Sequence, residues 1–331
     1  MRCLQGGRQQ MRDGVPTQGA KRYRDLNTYW RELFGCRVYK LPIDAGFTCP
    51  NRDGSLGTGG CIYCDGRGSR LRQQGALPPV GEQLRRGKAF YRERAGAGKF
   101  IAYFQSFTNT YGSLERLQRC YEEALADEDM VGLSIGTRPD CVPEPVLELI
   151  AGYAKRCHVW LELGLQSLHD RTLAVLNRGH DAACFRDAVE RTAARGIRIC
   201  THIIVGLPGE GREEMLATAR GLATLPVAGI KIHALLALAG TPLGERYARG
   251  ELHLMTKDEY VATVCDILEV LPPAMVIQRL TAEGYRDIFL GPAWAARKLD
   301  VLSAINAELA RRDSCQGQRY TPESGKRGDQ H

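Results

Sequence analysis

The chain has 331 residues, of which 44% are hydrophobic and 25% are charged, and its formal net charge at pH 7 is +7. This composition is typical of a globular protein with a full core and excludes the disordered and fibrous classes. No run of about twenty apolar residues occurs, which argues against a membrane-spanning helix. Residues 1–20 carry no apolar block of the secretory kind, and we predict that they form a flexible extension.

Strand-length apolar runs alternate with helix-length amphipathic stretches along the chain. The runs fall at residues 38–43, 100–104, 131–135, 159–163, 197–205 and 230–236, and the stretches include 114–125, 145–154, 182–194 and 213–225. This alternation predicts a parallel sheet with helices outside it. After a further helix at 257–271, two prolines break the chain. We predict that residues 276–280 and a helix near 295–311 then pack as a C-terminal extension.

Three cysteines, Cys49, Cys61 and Cys64, lie in one glycine-rich loop after the first apolar run. Protein-held clusters and structural zinc ions normally take four ligands, so three thiolates predict a metal centre with one open position. The first histidine of the chain is His158. A zinc finger of the Cys/His type is therefore not expected here.

The residues around the cysteines favour a bulky cluster. Glycines at positions 54, 57, 59 and 60 allow the backbone to approach it and to reach positive φ. Tyr63 offers a flat apolar face that suits an adenine beside the open metal. Two alternatives are a structural zinc site closed by Cys36 or Cys3, and a chance spacing among the twelve cysteines of the chain.

Further motifs in a fixed order identify the chain as a member of the radical SAM superfamily, whose cysteine loop binds a 4Fe-4S cluster with one free iron. They are Gln105-Ser106, Gly136-Thr137-Arg138-Pro139-Asp140, Leu163-Gly164-Leu165-Gln166-Ser167, Asn177-Arg178-Gly179-His180 and Gly206-Leu207-Pro208-Gly209-Glu210. In detail the chain resembles the YhcC-like group. It also resembles the radical SAM domain of the Elongator catalytic subunit and, more distantly, oxygen-independent coproporphyrinogen oxidase.

The resemblance implies an α/β fold, a partial TIM-type (βα)6 barrel with a helical C-terminal extension. The radical SAM core is expected at residues 21–290, and a C-terminal helix and tail at 291–331. Cys49, Cys61 and Cys64 would hold the 4Fe-4S cluster, and the enzyme would cleave S-adenosylmethionine (SAM) reductively to a 5′-deoxyadenosyl radical. The electron would come from a donor such as flavodoxin or ferredoxin.

The resemblance also implies SAM contacts at the C-terminal ends of the strands, where barrel enzymes place their chemistry. Gln105 and Ser106 occupy the place where the family binds the amino-acid end of SAM, unless they only cap a strand. Gln166, Arg178 and His202 correspond to residues that contact the ribose and carboxylate, and an arginine suits a carboxylate. The alternative for His202 is a satisfied core histidine.

Glu162 lies within the fourth apolar run and is predicted to be a buried group with an internal partner rather than a catalyst. The sequence names no catalytic residue.

Charge and cysteine content bear on partner and location. Residues 1–100 hold 19 lysines and arginines against 8 aspartates and glutamates, a net charge of +11, whereas the rest of the chain has a net charge of −4. A basic surface attracts RNA, although a solvated face without a partner is the alternative. Twelve cysteines in a chain of this length favour a reducing compartment, the cytoplasm.

The Elongator resemblance and the basic charge favour a transfer RNA as substrate, modified on its wobble uridine side chain. Arg67, Arg70 and Arg72, close to the cysteine loop, are the basic residues expected at the barrel mouth. A small metabolite or a porphyrin-like substrate is the alternative enzyme reading. A non-catalytic metal-binding RNA adaptor is an alternative of another class, which SAM cleavage would exclude.

Overall fold

A parallel sheet of seven strands forms the centre of the computed structural model, which describes residues 11–12, 15–16, 21–66, 76–282 and 287–322. Each strand pairs with the next one along the chain, so the spatial order follows the sequence order. The strands are β1 (Val38–Ile43), β2 (Lys99–Phe104), β3 (Met130–Thr137), β4 (His158–Gln166), β5 (Arg198–Val205), β6 (Gly229–Ala234) and β7 (Val276–Arg279).

Helices connect the strands and bury their apolar sides against the outer face of the sheet, where the main core lies. In the described part of the chain they are α1 (Leu26–Phe34), α2 (Val80–Ala95), α3 (Leu114–Ala124), α4 (Glu144–Ala154), α5 (Asp170–Val175), α6 (Ala182–Ala194), α7 (Arg212–Ala223), α8 (Pro242–Ala248), α9 (Lys257–Val270) and α10 (Lys298–Arg311). Two shorter strands, Ala237–Leu238 and Phe289–Gly291, pair antiparallel beside the main sheet.

The sheet is curled, as contacts between its two edges show. The Nζ of Lys40 on β1 lies 2.6 Å from Oε1 of Glu162 on β4 and 2.8 Å from Oε1 of Gln278 on β7. Strands β1 and β7 are the opposite edges of the sheet, so one side chain can reach both only if the sheet closes on itself. The predicted partial TIM-type barrel is confirmed.

Helix α1 covers the N-terminal ends of the strands. Leu26 and Tyr29 pack against Trp160, Cys200 and Val276 from the barrel interior. Trp30, on the same helix, is buried with the first residue of β1, Val38, and with Ile101 of β2. One end of the barrel is therefore filled by apolar side chains, and the cysteine loop lies at the other end, after β1.

The seventh strand is the main difference from the sequence prediction. Residues 276–280 were expected in the C-terminal extension, but Val276 and Ile277 are buried and pair in parallel with Gly229 and Ile230 of β6. The predicted helix near 295–311 is a 3₁₀ turn, Ala293–Ala296, followed by α10. Two buried apolar residues suffice for an edge strand, which is too short to give a clear sequence pattern.

The predicted N-terminal extension lies mostly outside the described residues. Of residues 1–20 the structure describes only Met11–Arg12 and Val15–Pro16, which pair as two short antiparallel strands. Its flexibility and the domain boundaries at 20 and 290 stay predictions. None of the helices in the described segments is both long and apolar enough to cross a membrane.

Candidate functional site

The three loop cysteines lie in the wall of one cavity, of about 180 Å³, at the C-terminal ends of the strands. We call it the cysteine cavity. Nowhere in the described ranges do three His, Cys, Asp or Glu side chains surround a position for one metal ion. Each thiolate of an iron–sulfur cluster binds a different iron, so three thiols spaced around a cavity suit a cluster better than a single ion.

The cysteine loop is fastened to the segment that follows α5. The Nδ2 of Asn51 donates to the carbonyl of Asn177 at 2.6 Å, and the Nδ2 of Asn177 donates back to the carbonyl of Gly60 at 2.8 Å. The backbone N–H of Ile62 donates to the carbonyl of Leu176 at 3.1 Å. These hydrogen bonds fix the loop that carries the thiols to the segment at residues 176–177.

The glycines of the loop confirm the sequence prediction only in part. Gly54 and Gly60 have φ values of +93° and +71°, whereas Gly57 and Gly59 are not in the left-handed region. At Gly60 an added Cβ would also lie 2.7 Å from Nε of Arg52. Glycine is favoured at position 60 by its left-handed backbone, and a side chain there would also displace the guanidinium of Arg52.

Arg178 is buried against the second cysteine of the loop. Its Nη1 lies 3.2 Å from Sγ of Cys61 and 3.3 Å from the hydroxyl of Tyr63, and its Nη2 donates to the carbonyl of Gly164 at 2.5 Å. Arg178 therefore joins the cysteine loop to the end of β4. A positive charge at hydrogen-bond distance from a sulfur suits a thiolate or an iron–sulfur cluster.

The thiols differ in how readily they lose a proton. Burial raises the pKa of Cys61, but the charge and hydrogen bond of Arg178 more than offset it, so that pKa lies below its ordinary value. Burial raises the pKa of Cys64 to about 11, because the nearby Arg52 offsets it only in part. The thiolate is the form that binds metal. Cys61 therefore loses its proton more readily than an ordinary cysteine, whereas Cys64 must release its proton when it binds metal.

Arg138 places a second guanidinium in the wall of the cysteine cavity. It forms a two-point ion pair with Asp140, at 2.8 and 2.7 Å, and its Nη2 also donates to the carbonyl of Arg178 at 2.7 Å. Its Nη1 is buried and has no hydrogen-bond partner among the described residues. A buried donor without a partner costs free energy, so this atom fits an anionic ligand in the cavity.

Most of the residues predicted to contact SAM lie in the wall of the cysteine cavity; they are Tyr63, Gln105, Gln166, Arg178 and His202. Ser106 does not. It is buried in the wall of a separate cavity between β1 and α2, which Gln105 also reaches. The turn at residues 206–210 likewise lines a different groove.

Two non-glycine residues in the cavity wall have a left-handed backbone. Phe107 has a φ of +60°, and Gln166, at the end of β4, has a φ of +78°. Conformations of this kind are strained for residues with a Cβ and are concentrated at ligand sites.

Glu162, in the wall of the cysteine cavity, is the centre of a charged network inside the barrel. Its carboxylate contacts Lys40 at 2.6 Å and His202 at 2.8 Å, and it also bonds to Lys231 and Ser134. Burial alone would raise the pKa of Glu162, but the charges of Lys231 and Lys40 hold it well below its ordinary value. The prediction that Glu162 is a buried group with internal partners is confirmed.

His202 both belongs to this network and faces the cavity. Burial and the charge of Lys231 lower the pKa of His202 to about 4, so its ring is neutral at pH 7. An ionised carboxylate only accepts hydrogen bonds, so Nε2 of His202 donates to Glu162 and Nδ1 remains an acceptor. A satisfied core histidine and a cavity contact are therefore compatible roles for this residue.

Sequence reasoning missed the partners of Glu162 and the cavity residue Tyr103, whose hydroxyl accepts a hydrogen bond from Lys231 at 2.9 Å. The sequence did contain a feature that indicates these partners, because Lys40 and Lys231 each lie within an apolar run of strand length. A lysine in a buried parallel strand needs an internal partner, since an unpaired buried charge is expensive.

A second cavity, of about 240 Å³, adjoins the first and shares Tyr63, Cys64, Gln166 and His202 with it. The rest of its wall comes mainly from the ends of β5, β6 and β7 and includes His233 and Arg279. We call it the Arg279 cavity. Together the two cavities offer space for two neighbouring ligands at the open end of the barrel.

Comparison with family models gives two matches. The model described as the Radical SAM superfamily matches residues 51–222, which is more than half of the chain. The model described as the Radical_SAM C-terminal domain matches residues 227–311. The first match includes Cys61, Cys64 and the described motifs up to the turn at 206–210, and begins just after Cys49.

Two relatives match over most of their length. The uncharacterized protein YtqA of Bacillus subtilis is 45% identical over 297 residues, which are 90% of this chain and 92% of that protein. Protein YhcC of Escherichia coli is 37% identical over 266 residues, 80% of this chain and 85% of that protein.

More distant likenesses point to Elongator proteins. A tRNA uridine(34) acetyltransferase of Methanocaldococcus infernus is 28% identical over 164 residues, 48% of this chain and 30% of that protein. The solved structure of the archaeal Elp3 of the same organism superposes with a TM-score of 0.61 at 18% identity. That superposition covers 84% of this chain and 64% of the Elp3 chain, and it shows a shared fold.

Proposed function

The chain belongs to the radical SAM superfamily, whose enzymes use a 4Fe-4S cluster and SAM. We propose that this enzyme modifies a tRNA on its wobble uridine side chain. The observation that supports the chemistry is the placement of Cys49, Cys61 and Cys64 around one cavity at the open end of the barrel. When bound, the cluster and SAM supply a 5′-deoxyadenosyl radical, which takes a hydrogen atom from an unactivated carbon.

The side chains of the cavity have separate roles in this proposal. The three cysteines hold the cluster, and Tyr63 lies between Cys61 and Cys64 with its ring at the boundary of both cavities. The free Nη1 of Arg138 and the guanidinium of Arg178 provide positive charge for the thiolates of the cluster or for a carboxylate. Gln105 and Gln166 add amide groups, which both donate and accept.

Replacing Arg178 by glutamine is expected to weaken SAM binding by about 1.5 to 3 kcal/mol, the contribution of a hydrogen bond to a charged group. The cluster absorption should survive, because the three thiols remain. Equilibrium dialysis of SAM against the anaerobic, reconstituted protein measures the affinity. Arg171→Gln is a matched control, since Arg171 lies exposed on α5 and pairs with Glu214 at 2.9 Å. Unchanged SAM affinity in Arg178→Gln would remove Arg178 from the SAM site.

Two observations support tRNA as the substrate. The first hundred residues, which include the cysteine loop, carry a net charge of +11, whereas the rest of the chain carries −4. The relative from Methanocaldococcus infernus is named as a tRNA uridine(34) acetyltransferase, and its fold class is shared. The proposal takes the nucleic-acid class from this relative and not its acetyl transfer.

The affinity of the enzyme for total tRNA is expected to fall steeply with salt, because each neutralised phosphate releases counterions. Filter binding between about 50 and 200 mM salt measures the slope. Charge reversal at Arg67, Arg70 and Arg72, which lie outside the described residues, should reduce both affinity and slope. SAM cleavage without RNA is the control and should not change with these variants. Absent or salt-insensitive tRNA binding, with 5′-deoxyadenosine formation stimulated by a metabolite extract, would favour the small-molecule alternative.

We also propose a one-electron donor such as flavodoxin or ferredoxin as a partner, because reductive SAM cleavage consumes one electron per event. A cytoplasmic location fits this requirement. The cysteines within the described ranges are all free thiols, as expected in a reducing compartment.

A further inference from the structure

A row of aromatic rings and guanidinium groups lies on the outer surface of β1 and α2. The guanidinium carbon of Arg94 lies 4.5 Å from the centre of the Phe90 ring, and the rings of Phe90 and Tyr91 meet edge to face at 5.1 Å. The rings of Tyr91 and Tyr39 are 4.7 Å apart. The guanidinium carbon of Arg37 lies 4.8 Å from the centre of the Tyr39 ring. We call these five residues the arginine–aromatic strip.

The strip is open to solvent at its ends and at its most prominent ring. Phe90 is 46% exposed, and Arg37 and Arg94 are both exposed. Neither arginine forms an ion pair with a residue in the described ranges. Tyr39 and Tyr91 are half-buried against the main core, which holds the strip in place. An exposed ring between unpaired cations is typical of surfaces on which the bases of a nucleic acid stack.

Helix α2 carries an excess of positive charge. It has five lysines and arginines against two glutamates. Glu82 pairs with Arg86, and Glu93 is exposed. Lys88 and Arg92 are occupied by the aspartates that precede β3. The arginines of the strip are therefore left to interact with a partner, and their charge is complementary to a phosphate backbone.

The strip leads to the open end of the barrel. Arg86, Phe90 and Arg94 are spaced four residues apart, so they form one row along α2 that rises about 12 Å. Arg86, Phe90 and Tyr91 line the cavity between β1 and α2, of about 240 Å³, whose wall also includes Gln105. Gln105 belongs to the wall of the cysteine cavity as well. A strand bound along the row therefore ends next to the site of the radical chemistry.

The cavity between β1 and α2 contains a carboxylate, and its polar groups are bonded to one another. Asp44 is buried, its Oδ1 accepts from the N–H of Gly46 at 2.9 Å, and it has further interactions. The side-chain amide of Gln83 bonds to the backbone N–H and carbonyl of Asp44, at 2.9 and 2.7 Å. Phosphate contacts are therefore assigned to the exposed arginines of the strip and not to this cavity.

We propose that the arginine–aromatic strip binds a single-stranded segment of RNA, with a base stacked on Phe90 and phosphates at Arg37 and Arg94. Every base has a flat π face, so stacking of this kind does not require a particular sequence. The row along α2 is long enough for about three stacked nucleotides, at about 3.4 Å each. This inference rests on the proposed function and deepens it, since it names the surface that holds the RNA.

The alternation within the strip favours RNA over an acidic protein such as an electron donor. Guanidinium groups lie at both ends of the strip and aromatic rings lie between them. A single strand also offers phosphates and flat bases in alternation, so it can use both kinds of group. The carboxylates of an acidic protein would pair with the arginines, but they have no flat apolar face for Phe90.

The test is fluorescence anisotropy of a labelled oligouridylate of about ten nucleotides, a length within the range of single-strand sites. It is titrated with the reconstituted holoenzyme in the presence of SAM and without reductant. Phe90→Ala should raise the dissociation constant about 5- to 150-fold, the effect of losing one stacked base, and should leave the salt slope unchanged. Arg37→Gln and Arg94→Gln should each lower the slope of log affinity against log salt by about 0.7, the value for one phosphate contact.

Two exposed positions elsewhere provide matched controls. Leu299 is 76% exposed on α10, and Arg297 is exposed just before that helix. Leu299→Ala and Arg297→Gln should bind the oligonucleotide like wild type. Circular dichroism shows whether each variant folds, and the two arginine variants of the strip decide the matter if Phe90→Ala does not fold.

Phe90→Trp gives a direct readout of stacking. Indole is a larger stacking surface than a phenyl ring, so this variant should bind the oligonucleotide at least as tightly as wild type. The RNA should also quench the additional tryptophan emission. If Phe90 served packing alone, the emission would not change.

Equal affinity of wild type, Phe90→Ala and both arginine variants for the oligonucleotide would overturn the proposal, as would the absence of any binding. It would also be overturned if these variants bound RNA like wild type and were reduced more slowly by flavodoxin. That result would assign the strip to the acidic electron donor.

The inference and the proposed function fail separately. If the oligonucleotide binds through the strip but total tRNA does not stimulate 5′-deoxyadenosine formation after addition of dithionite, the proposed tRNA modification is wrong and the RNA-binding strip still stands. If tRNA stimulates that reaction and the strip variants bind the oligonucleotide like wild type, the inference is wrong and the proposed function stands.

Discussion

Replacement of any one of Cys49, Cys61 and Cys64 by alanine is expected to abolish the iron–sulfur absorption of the anaerobically reconstituted protein, and with it the formation of 5′-deoxyadenosine. The wild-type chain should bind about four irons. The three cysteines line one cavity at the open end of the barrel. A cluster bound by three protein thiolates keeps only two protein ligands when one cysteine is replaced. Iron analysis and visible absorption measure the result.

Matched controls are available among the other free cysteines. Cys120 on α3 and Cys184 on α6 are half-buried and lie outside the wall of the cavity. Their alanine variants should keep the absorption and the iron content of wild type. Stoichiometric zinc in place of iron in the wild-type protein, or full iron content in a loop variant, would contradict the assignment of the three cysteines.

Replacement of Glu162 by glutamine is expected to lower the free energy of unfolding by about 3 to 5 kcal/mol, the effect of breaking a buried ion pair by removing one partner. Glutamine keeps the shape of the side chain but leaves Lys40 and Lys231 without their carboxylate in the barrel interior. The two ammonium groups must then stay unpaired or lose their protons. Urea denaturation of the cluster-free protein measures the change.

A control for this variant is Glu32→Gln. Glu32 forms an exposed pair with Arg24, at 2.7 Å, and exposed pairs contribute about 0 to 1 kcal/mol. If Glu162→Gln were no less stable than this control, the carboxylate would not be what neutralises the two lysines.

The same carboxylate predicts how stability depends on pH. The pKa of Glu162 is depressed in the folded state, so the unfolded chain binds its proton at higher pH than the folded chain does. The stabilisation is therefore fully present above the ordinary glutamate pKa of about 4.3 and is lost as the pH falls towards the lower folded value. Glu162→Gln should flatten the acid limb of the stability curve, which urea titrations at several pH values would show.

The strands could be predicted because buried parallel strands are continuous apolar runs. Six predicted runs overlap β1 to β6, and the first agrees with Val38–Ile43 at both ends. Strand β7 was assigned to the extension because it has only four residues and two of them, Gln278 and Arg279, are polar. Helix α2 was missed since its composition is mostly polar, and only Val80, Leu84 and Lys88 are buried.

The residues of the candidate site could be predicted where they lie at the C-terminal ends of strands. Five of the six proposed SAM contacts line the cysteine cavity, because the C-terminal ends of parallel strands meet at one end of a barrel. Ser106 is the exception: it follows the end of β2 and is buried in the wall of the separate cavity between β1 and α2, whereas Gln105 lines both cavities. Whether these residues contact SAM stays a prediction.

Sequence patterns could not predict which residues pair with Glu162. Lys40 and Glu162 are 122 residues apart, and they meet only because the sheet curls until β1 approaches β4. A pattern of apolar runs predicts which residues are buried, but the closure of the sheet decides which buried charges become partners.

Contacts between the start of α1 and the C-terminal part of the chain determine when the protein can finish folding during synthesis. Arg24, just before α1, bonds to Ala274 and Gln316, which follow it by 250 and 292 residues. At about 5 to 20 residues per second, the ribosome needs roughly 15 to 60 seconds to deliver both of them. Trp30 can pack early against Val38 and Ile101, but Leu26 and Tyr29 lack their partner Val276 until the seventh strand is made. This end of the barrel therefore cannot be completed until the last strand and helix of the chain have been synthesised.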